Sequence, residues 1–154
     1  LPPSLTFDEA KPRLEELFDI LPNDFLYPIE GRHESWFTDN ALNYFKQKKY
    51  CLVWNVVEGV NNPFPITSDY LYLRLIGDRS ISDKQFGAVR KNKSDFIKKW
   101  AQKLIGISDI PLAMVMANNH FEGFGPATAN TLGENLGRRE LMWESKKQKT
   151  IGNF

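Results

Sequence analysis

The 154-residue chain reads as an α/β protein built on a parallel sheet, and three observations carry that reading. Apolar runs of strand length alternate with stretches of helical periodicity along most of the chain. The run Ile110 to Ala117 is nearly continuously apolar, as in a parallel strand covered on both faces. Pro and Gly mark the element ends, with Pro126 opening a last helix and Gly137 just past its end. Parallel neighbours need crossover connections, so the helices must cover the sheet from outside. Pattern and length alone favour an open sheet, because a complete eight-stranded barrel takes about 250 residues.

Each element has its own signal. Leu1 to Leu5 is a loop, and Thr6 with Glu9 three positions on forms a capping box for a helix that carries Leu14, Leu17, Phe18 and Leu21 inward. Pro12 complicates the first turn and offers an alternative helix start, and Pro22 stops the run. A strand follows from about Phe25 to Arg32. Thr38 caps a helix over Asp39 to Lys48 with Ala41, Leu42 and Phe45 on one face, and a strand from Tyr50 to Asn55 comes next. Glu58 to Ser68 is loop, and Tyr70 to Ile76 alternates as the clearest strand. After a second loop, Gly77 to Lys91, a helix places Phe96, Ile97, Trp100, Ala101, Leu104 and Ile105 on one side, with Lys98, Lys99, Gln102 and Lys103 toward water. Gly106 ends it. The total is about four strands.

Composition bounds the function classes. With 42% apolar and 25% charged residues the chain has the make-up of one ordinary globular domain, and 20 basic against 19 acidic side chains give no general attraction to nucleic acid or to an anionic bilayer. Charge is uneven: residues 138–154 hold Arg138, Arg139, Lys146, Lys147 and Lys149 against Glu140 and Glu144, which reads as a basic, solvated tail beyond a domain of residues 1–137. The single Cys51 lies in an apolar run and reads as a buried structural thiol, in keeping with a reducing cytosol. There is no apolar segment near eighteen residues and no signal-peptide pattern at the start, so the expectation is a cytoplasmic protein without a membrane partner.

The segment Ile29-Glu30-Gly31-Arg32-His33-Glu34-Ser35-Trp36 runs from a strand-like stretch into a cluster of acid, guanidinium, imidazole and indole. Together with Tyr72-Leu73-Arg74-Leu75-Ile76-Gly77 and with Asn118-Asn119-His120-Phe121-Glu122-Gly123, it resembles the YecE-like family, domain of unknown function 72, whose members carry Glu-x-Arg-His-x-Ser-Trp and, late in the chain, Asn-Asn-x-x-x-Gly. The resemblance implies a TIM-like (β/α) barrel, of which this chain would be the C-terminal part, strands five to eight. An N-terminal barrel half or a second copy would then be the partner. It brings no established substrate. Three positions depart from the family pattern: Gly31 stands where an aromatic or aliphatic residue is usual, Ile76 where histidine is frequent, and Ala117 where phenylalanine is frequent.

Strand alternation gives the candidate site. If Tyr27 and Ile29 face the helices, Pro28, Glu30 and Arg32 face the other way, and by the same parity Leu71, Leu73 and Leu75 pack outward while Tyr72 and Arg74 face inward. Two guanidinium groups and a carboxylate would then converge near strand ends, where barrel active sites lie. Either they hold a substrate anion while Glu30 or His33 moves a proton, or they form an internal ion-pair network. Trp36 serves as an apolar wall for a ligand ring or, in the commoner use of an indole, as a packing anchor. Asn55, Asn118 and Asn119 are candidates to orient a ligand hydroxyl. Gly123 and Gly125 belong either to a tight turn that merely opens a helix or to one whose free N–H groups suit an anion, although Pro126 contributes none. Two histidines and no ligand-spacing motif argue against a metal centre, and the absence of a Walker loop, a dinucleotide fingerprint or a nucleophile elbow leaves no cofactor expected. The leading functional expectation is binding, or proton-transfer or hydrolytic chemistry, on a small phosphorylated or carboxylated metabolite. The alternatives are a nucleic-acid-associated protein, motivated by Lys91, Lys93, Lys98, Lys99 and the tail, and a silent half that completes a partner's barrel.

Overall fold

The computed structural model describes residues 1–22, 24–57, 60–77 and 79–138, so the tail beyond Arg138 lies outside the described residues. Three parallel strands, β1 (Trp54–Val57), β2 (Tyr70–Gly77) and β3 (Leu112–Ala117), form a sheet in that order. Among the described residues five α-helices accompany them: α1 (Phe7–Ile20), α2 (Asp39–Lys48), α3 (Ser94–Ile105), the short α4 (Asn119–Glu122) and α5 (Gly125–Asn135). Among the described residues no helix is long and apolar enough to cross a membrane.

α1 starts at Phe7, not at Pro12, because the capping box forms: Glu9 N–H donates to the Thr6 hydroxyl at 3.3 Å and Thr6 N–H donates to the Glu9 carboxylate at 3.0 Å. The hydrogen bonds from Thr6 hold the Glu9 carboxyl below its ordinary range. Pro12 sits within the helix on its solvent side, where the carbonyl deprived of a donor faces outward. The buried stripe is Phe7, Ala10 and Leu14; Leu17, expected inside, is exposed, and Phe18 is partly buried, stacked on Tyr50 at 3.8 Å between ring centroids. In α2, capped by Thr38 as expected, Ala41, Tyr44 and Phe45 are buried and Leu42 packs at their margin.

The strand expected over Phe25 to Arg32 is reduced to one parallel bridge, Ile29 to Leu52. Ile29 N–H donates to Cys51 O and Val53 N–H to Ile29 O, both at 2.8 Å. There the ladder stops, because side chains take over its acceptors. Asn55 Nδ2 donates to Gly31 O at 2.7 Å and Asn62 Nδ2 to Val53 O at 3.0 Å. Pro28, on the other side of the bridge, has no N–H to offer. The strand expected over Tyr50 to Asn55 likewise starts late, at Trp54, after the bridge at Leu52.

Two cores result. α1, α2 and Trp36 close over Ile29 and Leu52, and α3 and α5 cover the face of the sheet that carries Trp54, Leu71, Leu73 and Leu75. In α3 the inward side is Ile97, Trp100 and Ala101, whereas Phe96 and Ile105 are exposed. The Lys103 ammonium lies 4.3 Å from the Phe64 ring centroid and 5.0 Å from that of Trp54, and burial there pushes its pKa down. β3 departs most from expectation: among the described residues it is an edge strand with one neighbour and helices on one side only, with Leu112 43% and Met116 55% exposed.

Candidate functional site

Alternation along β2 puts Leu71, Leu73 and Leu75 under the helices and Tyr72, Arg74 and Ile76 on the opposite face. The parallel register sets Asn55, Arg74 and Met116 side by side across the three strands. Ile29 turns into the first core, so its neighbours Pro28 and Glu30 turn the other way. These side chains enclose a cleft of about 360 Å³ lined by Pro28, Glu30, Val53, Tyr72, Arg74, Ile76, Met116 and Asn118.

Glu30 is the centre of its charge. One oxygen accepts from Arg32 Nε at 2.6 Å, and the other accepts from Arg74 Nη1. The carboxylate side chain is 10% exposed, against 27% for Arg32 and 35% for Arg74. Two guanidinium cations against one carboxylate leave one net positive charge, and of the two cations Arg74 is the one that lines the cleft. Burying such groups is costly unless they are paired, and here the pairing joins two chain segments, residues 30–32 and Arg74 of β2. Two larger cavities lack this convergence. One of about 440 Å³ is mainly apolar, between β3, α3 and α5; another of about 930 Å³ lies by the start of α3, with Lys93, Asp95 and Lys99 on its rim.

The remaining candidates fall elsewhere. His33 does not line the cleft: its Nδ1 accepts from Ser35 N–H at 3.2 Å and caps the 3-10 turn Glu34–Phe37, which leaves the neutral ring's proton on Nε2. Trp36 is fully buried, with its indole N–H donating to Leu5 O at 2.8 Å and its ring against Phe7 and Phe45, so it is a packing anchor and not a ligand wall. It also accounts for Gly31, since a Cβ there would lie 2.6 Å from the Trp36 Cβ. Asn55 is buried with its amide committed to Gly31 O and its Oδ1 accepting from Asn62, which leaves it no role toward a ligand hydroxyl.

The Asn118-Asn119 pair shapes the turn from β3 into α5. Asn118 borders the cleft while its Oδ1 accepts from His120 N–H, and Asn119 Oδ1 accepts from Gly125 N–H at 2.8 Å. Gly123 N–H donates to Asn119 O at 2.7 Å, so neither glycine keeps a free donor and the expected anion nest is filled from within. Gly123 itself, at φ +112°, sits against Ala88 O and the Arg90 backbone, where a side chain has no room. His120 Nδ1 lies 3.0 Å from Ile81 O and ties down the loop before α3.

Sequence reasoning passed over Glu122, which is buried and accepts from Lys93 N–H at 2.8 Å and from the Thr128 hydroxyl at 2.7 Å, joining the starts of α3 and α5. An acid inside His-Phe-Glu-Gly-Phe was the available signal. Val53 and Met116 were passed over too, although their strand parity marks them. Cys51 is buried and burial pushes its thiol pKa up, which makes it unreactive. Among the described residues no three His, Cys, Asp or Glu side chains come together as metal ligands.

A parallel α/β sheet with a charged cleft on the face away from its helices defines the class of the protein. The chain belongs to the family described as protein of unknown function DUF72, which it matches over residues 1–151. Its fold is similar to the crystal structure of a DUF72 family protein from Enterococcus faecalis V583, with a TM-score of 0.72 and 18% identity over 90% of this chain and 59% of that one. It is also similar to a DUF72 family protein from Thermotoga maritima MSB8, with a TM-score of 0.71 and 18% identity over 90% of this chain and 56% of that one. The chain thus spans less than two thirds of the length of either. No curated protein matches it.

Proposed function

We propose that the protein binds a small anion, a carboxylated or phosphorylated metabolite, in the cleft bordered by Glu30, Tyr72 and Arg74. The observation that carries this reading is the Arg32–Glu30–Arg74 triad, in which Glu30 is nearly buried and Arg74 keeps about a third of its side chain open to the cleft. Arg74 donates to Glu30 through Nη1, and the rest of its planar fork has no protein acceptor among the described residues. Glu30 and Arg32 hold Arg74 in place, and Arg74 receives the ligand. The same reading takes the sheet as a portion of a (β/α) barrel, supported by the likeness to DUF72 structures of greater length and by a cleft on the face where a barrel interior would lie. A buried, unreactive Cys51 suits a cytoplasmic setting.

Calorimetric titration with a panel of small anions tests it. The wild-type chain is expected to bind at least one of them, and Arg74→Ala to weaken that binding at least tenfold with the circular dichroism spectrum unchanged. Unchanged affinity removes Arg74 from the site. A collapse of thermal stability instead identifies the triad as an internal ion-pair network.

A further inference from the structure

We infer that the ligand of this cleft is a monocarboxylate with an apolar or aromatic body, not a phosphate ester or other dianion; this rests on the anion-binding reading above. Charge is the first argument. The triad carries one net positive charge, and the cation offered to the cleft is Arg74 alone, because Arg32 is paired to Glu30 and does not line it. A second negative charge on the ligand would find Glu30, which does line the cleft, and no further cation among the lining residues. The glycine turn before α5 cannot supply the deficit, since the N–H groups of Gly123 and Gly125 are bonded internally.

Geometry is the second argument. A guanidinium presents paired N–H groups in one plane, which match the two oxygens of a carboxylate. Arg74 uses Nη1 toward Glu30, and its remaining N–H groups suffice for one such planar partner.

The walls are the third. Pro28, Val53, Ile76 and Met116 supply apolar side chains to the cleft; Val53 and Ile76 are buried in its floor and Met116 is 55% exposed. Ile76 matters most, since it places a branched hydrocarbon beside Arg74 where a polar side chain would favour a hydrated, highly charged ligand. Tyr72 and Asn118 are the polar groups left to read a substituent. At about 360 Å³ the space is at the small end of ligand pockets, which run from about 300 to about 1,000 Å³.

Titration of the full chain with benzoate, acetate and sulfate at constant ionic strength near neutral pH tests the inference. Benzoate is expected to bind at least tenfold more tightly than either acetate, which lacks the apolar body, or sulfate, a fixed dianion. Ile76→Asn is expected to bring the ratio of benzoate to acetate affinity close to one, with the circular dichroism spectrum unchanged. Arg74→Lys keeps the charge beside Glu30 but loses the fork, so benzoate should weaken several-fold and sulfate should not. Sulfate binding as tightly as benzoate, and lost in Arg74→Ala, would overturn the monocarboxylate assignment while leaving the anion cleft standing. Benzoate and sulfate both failing to bind, or binding unaffected by Arg74→Ala in a folded variant, would overturn the cleft as an anion site and the inference with it.

Discussion

At Gly31 the chain omits a side chain so that the Trp36 indole folds back over its own backbone and fills the first core. The space is already occupied, so Gly31→Val must push the indole away or open the turn Glu34–Phe37. Overpacking of this kind costs about 1–3 kcal/mol, and denaturant unfolding of Gly31→Val should show a loss in that range. A neutral result would mean that the indole moves freely. The same pair shows what a sequence can and cannot say about single residues. Parity along a strand needs only local geometry, so the facing of Glu30, Tyr72 and Arg74 is legible in the order of the residues. The roles of Trp36 and Asn55 depend on partners from elsewhere in the chain, Leu5 for the indole and Asn62 for the amide, and no local pattern marks them.

Among the elements, the helices followed their caps closely, and Tyr70–Gly77 and Leu112–Ala117 followed their apolar runs, whereas the two expected strands before them shrank to a bridge and to Trp54–Val57. Thr6 and Thr38 each open a helix at the expected place, because a cap is a contact within three residues. A strand needs a neighbour, and residues 25–32 meet Leu52 and then the Asn55 amide at Gly31 O, while the Asn62 amide takes Val53 O on the facing segment. Asn55 is the key substitute: it holds Gly31 O and joins Asn62, both away from water. Asn55→Ala would leave Gly31 O and one Asn62 donor without that partner. At about 1–3 kcal/mol for each of the two buried groups left unsatisfied, the variant should lose about 2–6 kcal/mol in denaturant unfolding. A loss under about half a kcal/mol would show that water or the backbone replaces the amide at no cost. The apolar run Ile110 to Ala117 was legible as strand, but its exposure was not, since coverage belongs to what lies beyond the edge.

Across the whole molecule, large apolar side chains are exposed at both margins of the sheet as well as on helices, as at Ile20 and Ile105. Phe25 and Leu26 precede the Ile29 bridge on one side, and Leu112 and Met116 stand on β3 at the other. β3 has the composition of a strand covered on both faces and the position of an edge, a combination that favours pairing with another strand. The chain also accounts for only 59% and 56% of the length of the two DUF72 relatives of similar fold. We therefore expect the 154-residue chain, studied by itself, to associate: light scattering behind size-exclusion chromatography should give a mass at or above twice that of one chain, rising with concentration. Leu112→Lys, which sets a charge on the exposed edge, should shift the chain toward the monomer without loss of helix signal. Supplying a segment that completes the sheet should have the same effect on self-association while adding its own mass. A stable monomer that binds no hydrophobic dye would overturn this expectation and favour an open α/β sheet over a portion of a barrel.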